Sequence, residues 1–457
     1  MTMQALAARY LEEEARSLLT RLDRVKPFAL QETMLPAAAP SPAAIVAIER
    51  FLVGGRYQLH HEVLDYIGWL RAEGEAAGPA EMQRRFTTVR MRFNDVLSQF
   101  DLFSELITQR SEHDTGVWLS GLDVLAADAL SLPEPYFEAP QVVCYLARGP
   151  GAAVRRARTR IPGGGVNPVA IVRVPRERMI GNGIASSLVH EVGHQAAALL
   201  DLVPSLRAAL RRETEKAQPA RAPAWRMWER WISEIVADLW SVGKLGVAST
   251  LGLIGVVSLP AWAVFRIAAD DPHPVPWIRV RLSCRLGERL YPDPQWHRLA
   301  ALWEALYPRT RLDEQRRALL EQLEATIPRL VEVLVQHRPA KLRGRSLSEV
   351  MPLAEREPEQ LAAYYEAWRR GPEQLREASP SLAFAVLGHA RMHGRLAARE
   401  ESRTVSDLLT YWALRSTLDI AEICAAPVSP PARKWVPVPP AFTPERRRPQ
   451  PQTVPSS

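Results

Sequence analysis

Cysteine is scarce in this chain. Among 457 residues there are three, Cys144, Cys284 and Cys424. They are far apart and odd in number, which argues against a disulfide framework and against a cysteine-built zinc cluster. Such usage fits a reducing compartment. The first residues, MTMQALAARYLEEEARSLL, carry no basic leader, and acids interrupt them before an apolar stretch develops. No secretory signal is read there, and the expected location is the cytoplasm. Internal repeats are lacking as well. Excess charge of one sign is small: the net charge is +7, and the tail 426–457, with five basic residues against Glu445, holds +4 of it. A nearly balanced body is a poor basis for a nucleic-acid groove, so no nucleic-acid partner is expected.

One long apolar run is present. Leu245–Phe265 has 21 residues without a charge, between Lys244 and Arg266. Its length would span a bilayer. It also contains Pro260, three glycines and several hydroxyl residues. A core hairpin is the preferred reading, with a membrane-embedded chain as an alternative.

The remaining composition is that of a globular protein, 47% hydrophobic and 24% charged. A chain of this length can bury a large core without covalent staples, in two or three packed units. Residues 1–135 read as helical, with apolar positions such as Phe93, Val96, Leu97 and Phe100 at helical spacing. The segment 35–44 (LPAAAPSPAA) is a joint between helices, and another helix is expected to open around His60, His61 and Trp69. Gln141–Ala147 and Pro168–Val174 are β-branched runs bounded by proline and read as strands. A glycine- and arginine-rich connection lies between them, in which Arg155, Arg156, Arg158 and Arg160 suit a solvated loop or a hold on an acidic partner. Helices are expected from Asn182 to about Leu200, over about Ala224–Val242, and again over Gln295–Ile423. The tail has ten prolines in 32 residues and fits a disordered or polyproline II segment.

The chemistry centres on HEVGH, residues 190–194. On a helix, His190 and His194 lie one turn apart, about 40° around the axis, and can bind one metal ion together. Glu191 lies beside them, where a carboxylate can act as general base on an activated water. Downstream, WISEIVADLW (231–240) places Glu234 and Asp238 on one face of a second helix. Catalytic zinc takes three protein ligands, and two histidines with a glutamate are one such set. Glu234 is the expected third ligand. Asp238 is placed to accept the other N–H of a ligand histidine and fix its tautomer. The plain alternative is a helix with two solvated acids.

HExxH followed by a helix bearing ExxxD resembles the gluzincin branch of the zincin metallopeptidases. The resemblance implies that His190, His194 and Glu234 bind zinc, that Glu191 is the base and that Asp238 supports a histidine. It covers about residues 140–280. The metzincin pattern is not met, since positions 197 and 200 are Ala and Leu. The strand 168–174 is then expected as an edge strand along which an extended substrate pairs. In DPHPVPWIR (271–279), His273 and Arg279 are the candidates for stabilising an oxyanion. His389 and His393 form a further i, i+4 pair, but Ala390 stands where a base would be, and a surface pair is expected. Of the 13 tryptophans, six fall between Trp225 and Trp277; most should be core, and one or two could line a substrate pocket.

The expected fold is therefore α+β and predominantly α: a zincin-like core at 136–285 with a small sheet and two metal-bearing helices. Helical regions at 1–135 and 286–425 would flank it, and the tail would cover 426–457. The expected activity is zinc-dependent hydrolysis of peptide bonds in a protein or peptide substrate, by an endopeptidase rather than an exopeptidase. A regulatory protein with a structural or vestigial zinc site is the alternative.

Overall fold

The structure, a computed structural model, describes residues 2–147, 152–161, 164–175, 181–268 and 271–425. The proline-rich tail lies outside them. By its contacts the chain divides into Met1–Thr417 and a shorter unit, Leu418–Ser457, of which residues 418–425 are helical. The chain is mostly helical, with one three-stranded sheet.

Four helices come first: α1 (Met3–Leu22), α2 (Pro42–Ala77), α3 (Pro79–Thr108) and α4 (His113–Leu130). Ser41 starts α2, its hydroxyl accepting the Ala44 N–H at 3.1 Å, with Pro42 in the first turn. The helix then runs for 36 residues, so His60, His61 and Trp69 lie inside it and open no new helix. Gly78, at φ +84°, links α2 to α3; that left-handed backbone angle suits glycine.

The sheet follows, as β1 (Val142–Ala147), β2 (Ala153–Arg155) and β3 (Ala170–Pro175) in the order β1-β3-β2. β3 pairs parallel with β1 and antiparallel with β2. Two expectations are corrected here. The strand read at 168–174 is central, because both its edges are paired, and so it cannot be the edge that receives a substrate. The glycine- and arginine-rich connection is not wholly a loop, because Ala153–Arg155 pair with β3 and form the outer strand.

Side chains alternate across a strand, and the sheet uses this to separate two cores. Val143, Val169 and Ile171 pack with α1, α2 and α3 around Leu52, Leu70 and Phe93. Val142, Cys144, Leu146, Val172 and Val174 face α4 and the remaining helices. The outer edge of β1 is covered by side chains. Gln109 exchanges two hydrogen bonds of 2.8 Å with the Leu146 backbone. Asp123 accepts the Cys144 N–H at 2.7 Å, and buried Arg110 donates to the Cys144 carbonyl at 2.6 Å.

The rest is helical: α5 (Asn182–Leu199), α6 (Leu202–Lys216), α7 (Ala222–Leu245), α8 (Val247–Val257), α9 (Ala261–Val264), α10 (Pro276–Leu290), α11 (Gln295–Leu306), α12 (Glu314–Gln336), α13 (Leu347–Val350), α14 (Pro358–Arg370), α15 (Glu373–Glu377), α16 (Pro380–Met392) and α17 (Ala398–Ala425). The apolar run 245–265 is a broken hairpin. Gly246, at φ +55°, interrupts it after α7, and Ser258–Pro260 turn it before α9. Among the described residues, no helix is long and apolar enough to cross a membrane.

The histidine pair at the end of α16 departs from the surface reading. His393 is exposed, but His389 is buried at 5% exposure, its ring 4.4 Å from that of His393. Burial and the neighbouring His393 lower the pKa of His389 to about 4. A histidine in the unfolded chain titrates near ~6.5, so the folded state binds fewer protons between these values. Its contribution to stability is complete above pH ~6.5 and is lost as pH falls towards about 4. His389→Leu should therefore shrink the drop in melting temperature between pH 7 and pH 5. Equal drops in both proteins would show that His389 gains no extra proton on unfolding.

Candidate metal centre

α5 is an inner helix. Ile184, Leu188, Val192 and Ala196 are buried, and the Ser186 hydroxyl donates to the Ser249 carbonyl of α8 at 2.9 Å. α7 crosses it. Trp228 Nε1 donates to Thr326 of α12 at 2.8 Å, and Trp240 Nε1 donates to the Ala129 carbonyl of α4 at 3.0 Å, fixing α7 at two levels. At the crossing lies Gly193, between the two histidines. A Cβ there would come 2.9 Å from Ala237 Cα, 3.0 Å from its carbonyl oxygen and 3.1 Å from Trp240 Cβ. Only a residue without a side chain allows this approach, and it brings the faces of both helices within reach of one another.

The atoms that could hold a metal ion meet at that crossing. His190 Nε2 is 3.2 Å from Glu234 Oε2, and His194 Nε2 is 3.3 Å from Glu234 Oε1. One atom from each of the three residues lies within 4.8 Å of the others. A tetrahedral ion with arms of about 2.0–2.1 Å has ligand atoms about 3.3 Å apart, so the observed separations fit a zinc-sized site. The other faces of the imidazoles are also held. Asp238 Oδ1 lies 2.8 Å from His190 Nδ1, and the Ser233 hydroxyl lies 3.3 Å from His194 Nδ1.

Charge gives a second measure of fit. Glu191, Glu234 and Asp238 line the cleft with Arg279. With neutral imidazoles, the three carboxylates buried there exceed the one shielded guanidinium by two negative charges, the charge of one divalent cation; Arg156, also at the cleft, is exposed to water. Buried charge needs such compensation. Protons on the histidines are the other way to supply it. Burial opposes the charge on His190, yet the hydrogen bond and charge of Asp238 raise its pKa to about 9. Burial pushes the Glu234 carboxyl up, but the two histidines outweigh it and hold that group well below the usual carboxylate range. Asp238 is held at about 2 by Arg279 and His190, again against burial.

All seven residues singled out in the sequence border one cleft of about 510 Å³. Glu191 is 8% exposed and, among the described residues, has no hydrogen-bond or ion-pair partner. Arg279, in the first turn of α10, donates Nε and Nη2 to the two Asp238 oxygens at 2.7 and 2.9 Å. His273 stands half exposed at the rim, its Nε2 3.5 Å from Glu234 Oε2. Asp271 holds its ring, 2.8 Å from Nδ1, and also accepts the His273 backbone N–H at 3.0 Å. Asp271 and Ser233 are additions to the sequence reading. The first stood in the quoted loop without a role, and its signal is an acid two residues before a histidine. Ala153 and Val154 of β2 and nearby Arg156 also line the cleft.

No family model matches the chain, and comparison with curated proteins and with solved structures finds no match.

The crossing yields a prediction. In Gly193→Ala the new methyl meets backbone atoms, which cannot rotate away. The variant should lose about 1–3 kcal/mol of stability, the usual cost of overpacking. Denaturant unfolding measures this, and an unchanged midpoint would mean that α5 and α7 separate freely.

Proposed function

We propose that this chain is a zinc-dependent peptidase of gluzincin type, acting on a protein or peptide substrate. The observation that carries the reading is the convergence of His190 Nε2, His194 Nε2 and the Glu234 carboxylate at 3.2–3.3 Å, beside the carboxylate of Glu191, which has no hydrogen-bond or ion-pair partner among the described residues. His190, His194 and Glu234 would hold the ion. When bound there, zinc supplies Lewis acidity and a nucleophile at neutral pH.

The chain's own groups would do the rest. Glu191 takes the proton of the attacking water and hands it to the leaving amine. His273 Nε2, with Asp271 on its other nitrogen, donates towards the carbonyl oxygen as negative charge grows on it. Arg279 is a positioning residue, because its guanidinium fixes Asp238, which in turn orients His190. An extended peptide would lie along β2, the outer strand bordering the cleft, by strand addition. A cleft open to a substrate favours catalysis over a structural metal, whose site would be closed by a fourth side chain.

Two comparisons test the reading. Glu191→Gln should keep zinc and lose nearly all hydrolysis of a peptide mixture; cleavage at the wild-type rate would remove Glu191 from the base role. Glu234→Ala should purify largely free of metal, whereas Asp238→Asn should keep much of its zinc and be impaired about 10–100-fold in metal affinity or activity. Asn is used because it keeps a side-chain oxygen for Arg279, which Asp238→Ala would leave with only the Glu234 carboxylate, 3.7 Å away; breaking a buried ion pair typically costs about 3–5 kcal/mol and could unfold the chain. If Glu234→Ala holds zinc after mild chelation and Asp238→Asn does not, the ligand assignment is reversed.

A further inference from the structure

Beyond His273 the cleft continues into a second hollow of about 280 Å³. His273 and Arg279 border both. Its inner walls are apolar and fixed: Trp231, Val257 and Val275 are each less than 7% exposed. Its outer wall is Leu259 and Trp262, from the turn between α8 and α9 and from α9 itself. Trp262 is 72% exposed, the highest value among the large apolar side chains described. The turn that carries it is anchored. The Tyr307 hydroxyl donates to the Leu259 carbonyl at 2.9 Å, and Phe265 stacks on Trp277 at 6.3 Å between ring centres.

Among the described residues, Asp271 and Arg279 at the hollow are already engaged. Asp271 takes His273 and the Arg266 guanidinium, the latter at 3.2 Å, while Arg279 is bound to Asp238. What remains to be met is apolar surface with one indole standing in water. An uncharged, bulky side chain fits that surface, and a flat ring fits it best, because Trp262 offers a face for stacking.

We propose that this hollow is a specificity pocket, which takes a large apolar side chain, preferably aromatic, from a substrate residue next to the bond that is cut. The proposal rests on the peptidase reading above. Nearness to the reacting bond follows from the shared wall: His273 and Arg279 border both hollows, and His273 Nε2 lies 3.5 Å from the Glu234 carboxylate.

The test uses the zinc-loaded full chain and a mixture of synthetic peptides that places Phe, Leu, Ala or Glu at every position. Cleavage sites should show Phe and Leu enriched at one fixed position beside the cut. For a peptide pair differing there only in Phe or Ala, Trp262→Ala should lower the Phe-to-Ala ratio of kcat/KM about three- to tenfold, mainly through KM. Trp262→Phe should restore most of it. Zinc content and melting temperature check folding, which an exposed side chain should hardly affect. Cleavage without preference at any position, or a ratio unmoved in Trp262→Ala, overturns this pocket and leaves the peptidase reading intact. If the wild type cleaves no peptide faster than Glu191→Gln does, the peptidase reading fails and the pocket falls with it.

Discussion

Gly193 lets α5 and α7 touch at the backbone of Ala237, and the arrangement of charged groups around that crossing follows from the contact. Glu234 stands one turn before Ala237, so its two oxygens reach imidazoles one turn apart on α5. A larger residue at 193 would move the helices apart by a fraction of an ångström or more, and a carboxylate spans little distance. The tryptophans of α7 serve the same end. They fill the volume around the crossing, and their indole N–H groups tie α7 to α4 and α12, so the approach is set by the whole core.

A chain of charges then runs inward from the crossing. Glu234 meets the histidines, His190 meets Asp238, and Asp238 meets Arg279 in a two-pronged contact. Each member lies in a poorly solvated place where it would be costly alone. The arginine makes the aspartate a reliable acceptor, and the aspartate turns Nε2 of His190 towards the shared point. Glu191 faces the same cleft with no hydrogen-bond or ion-pair partner among the described residues.

Much of the site was legible because its parts are local. HExxH and ExxxD state which residues share a helix face, and helical spacing does not depend on the rest of the fold. The apolar pattern likewise marked α5 and α7, and two β-branched runs marked β1 and β3. The remainder depends on partners distant in sequence. β2 has three residues and is held as a strand by β3, so its composition alone reads as loop. β3 reads the same whether central or at an edge, and only pairing on both sides decides. The burial of His389 comes from elements packed over α16, and nothing in the sequence ties Arg279 to Asp238, 41 positions away. α6 was passed over, being a mostly polar helix with three buried leucines, Leu202, Leu206 and Leu210.

The treatment of the sheet's two edges has a consequence for solubility in a crowded solution. An unpaired strand edge is a template for self-association. On the β1 side, Gln109, Arg110 and Asp123 occupy backbone groups that another chain would otherwise capture. The β2 side borders a recess rather than an open flank. The two edges are thus treated differently, one closed by side chains and the other placed at the wall of a cleft.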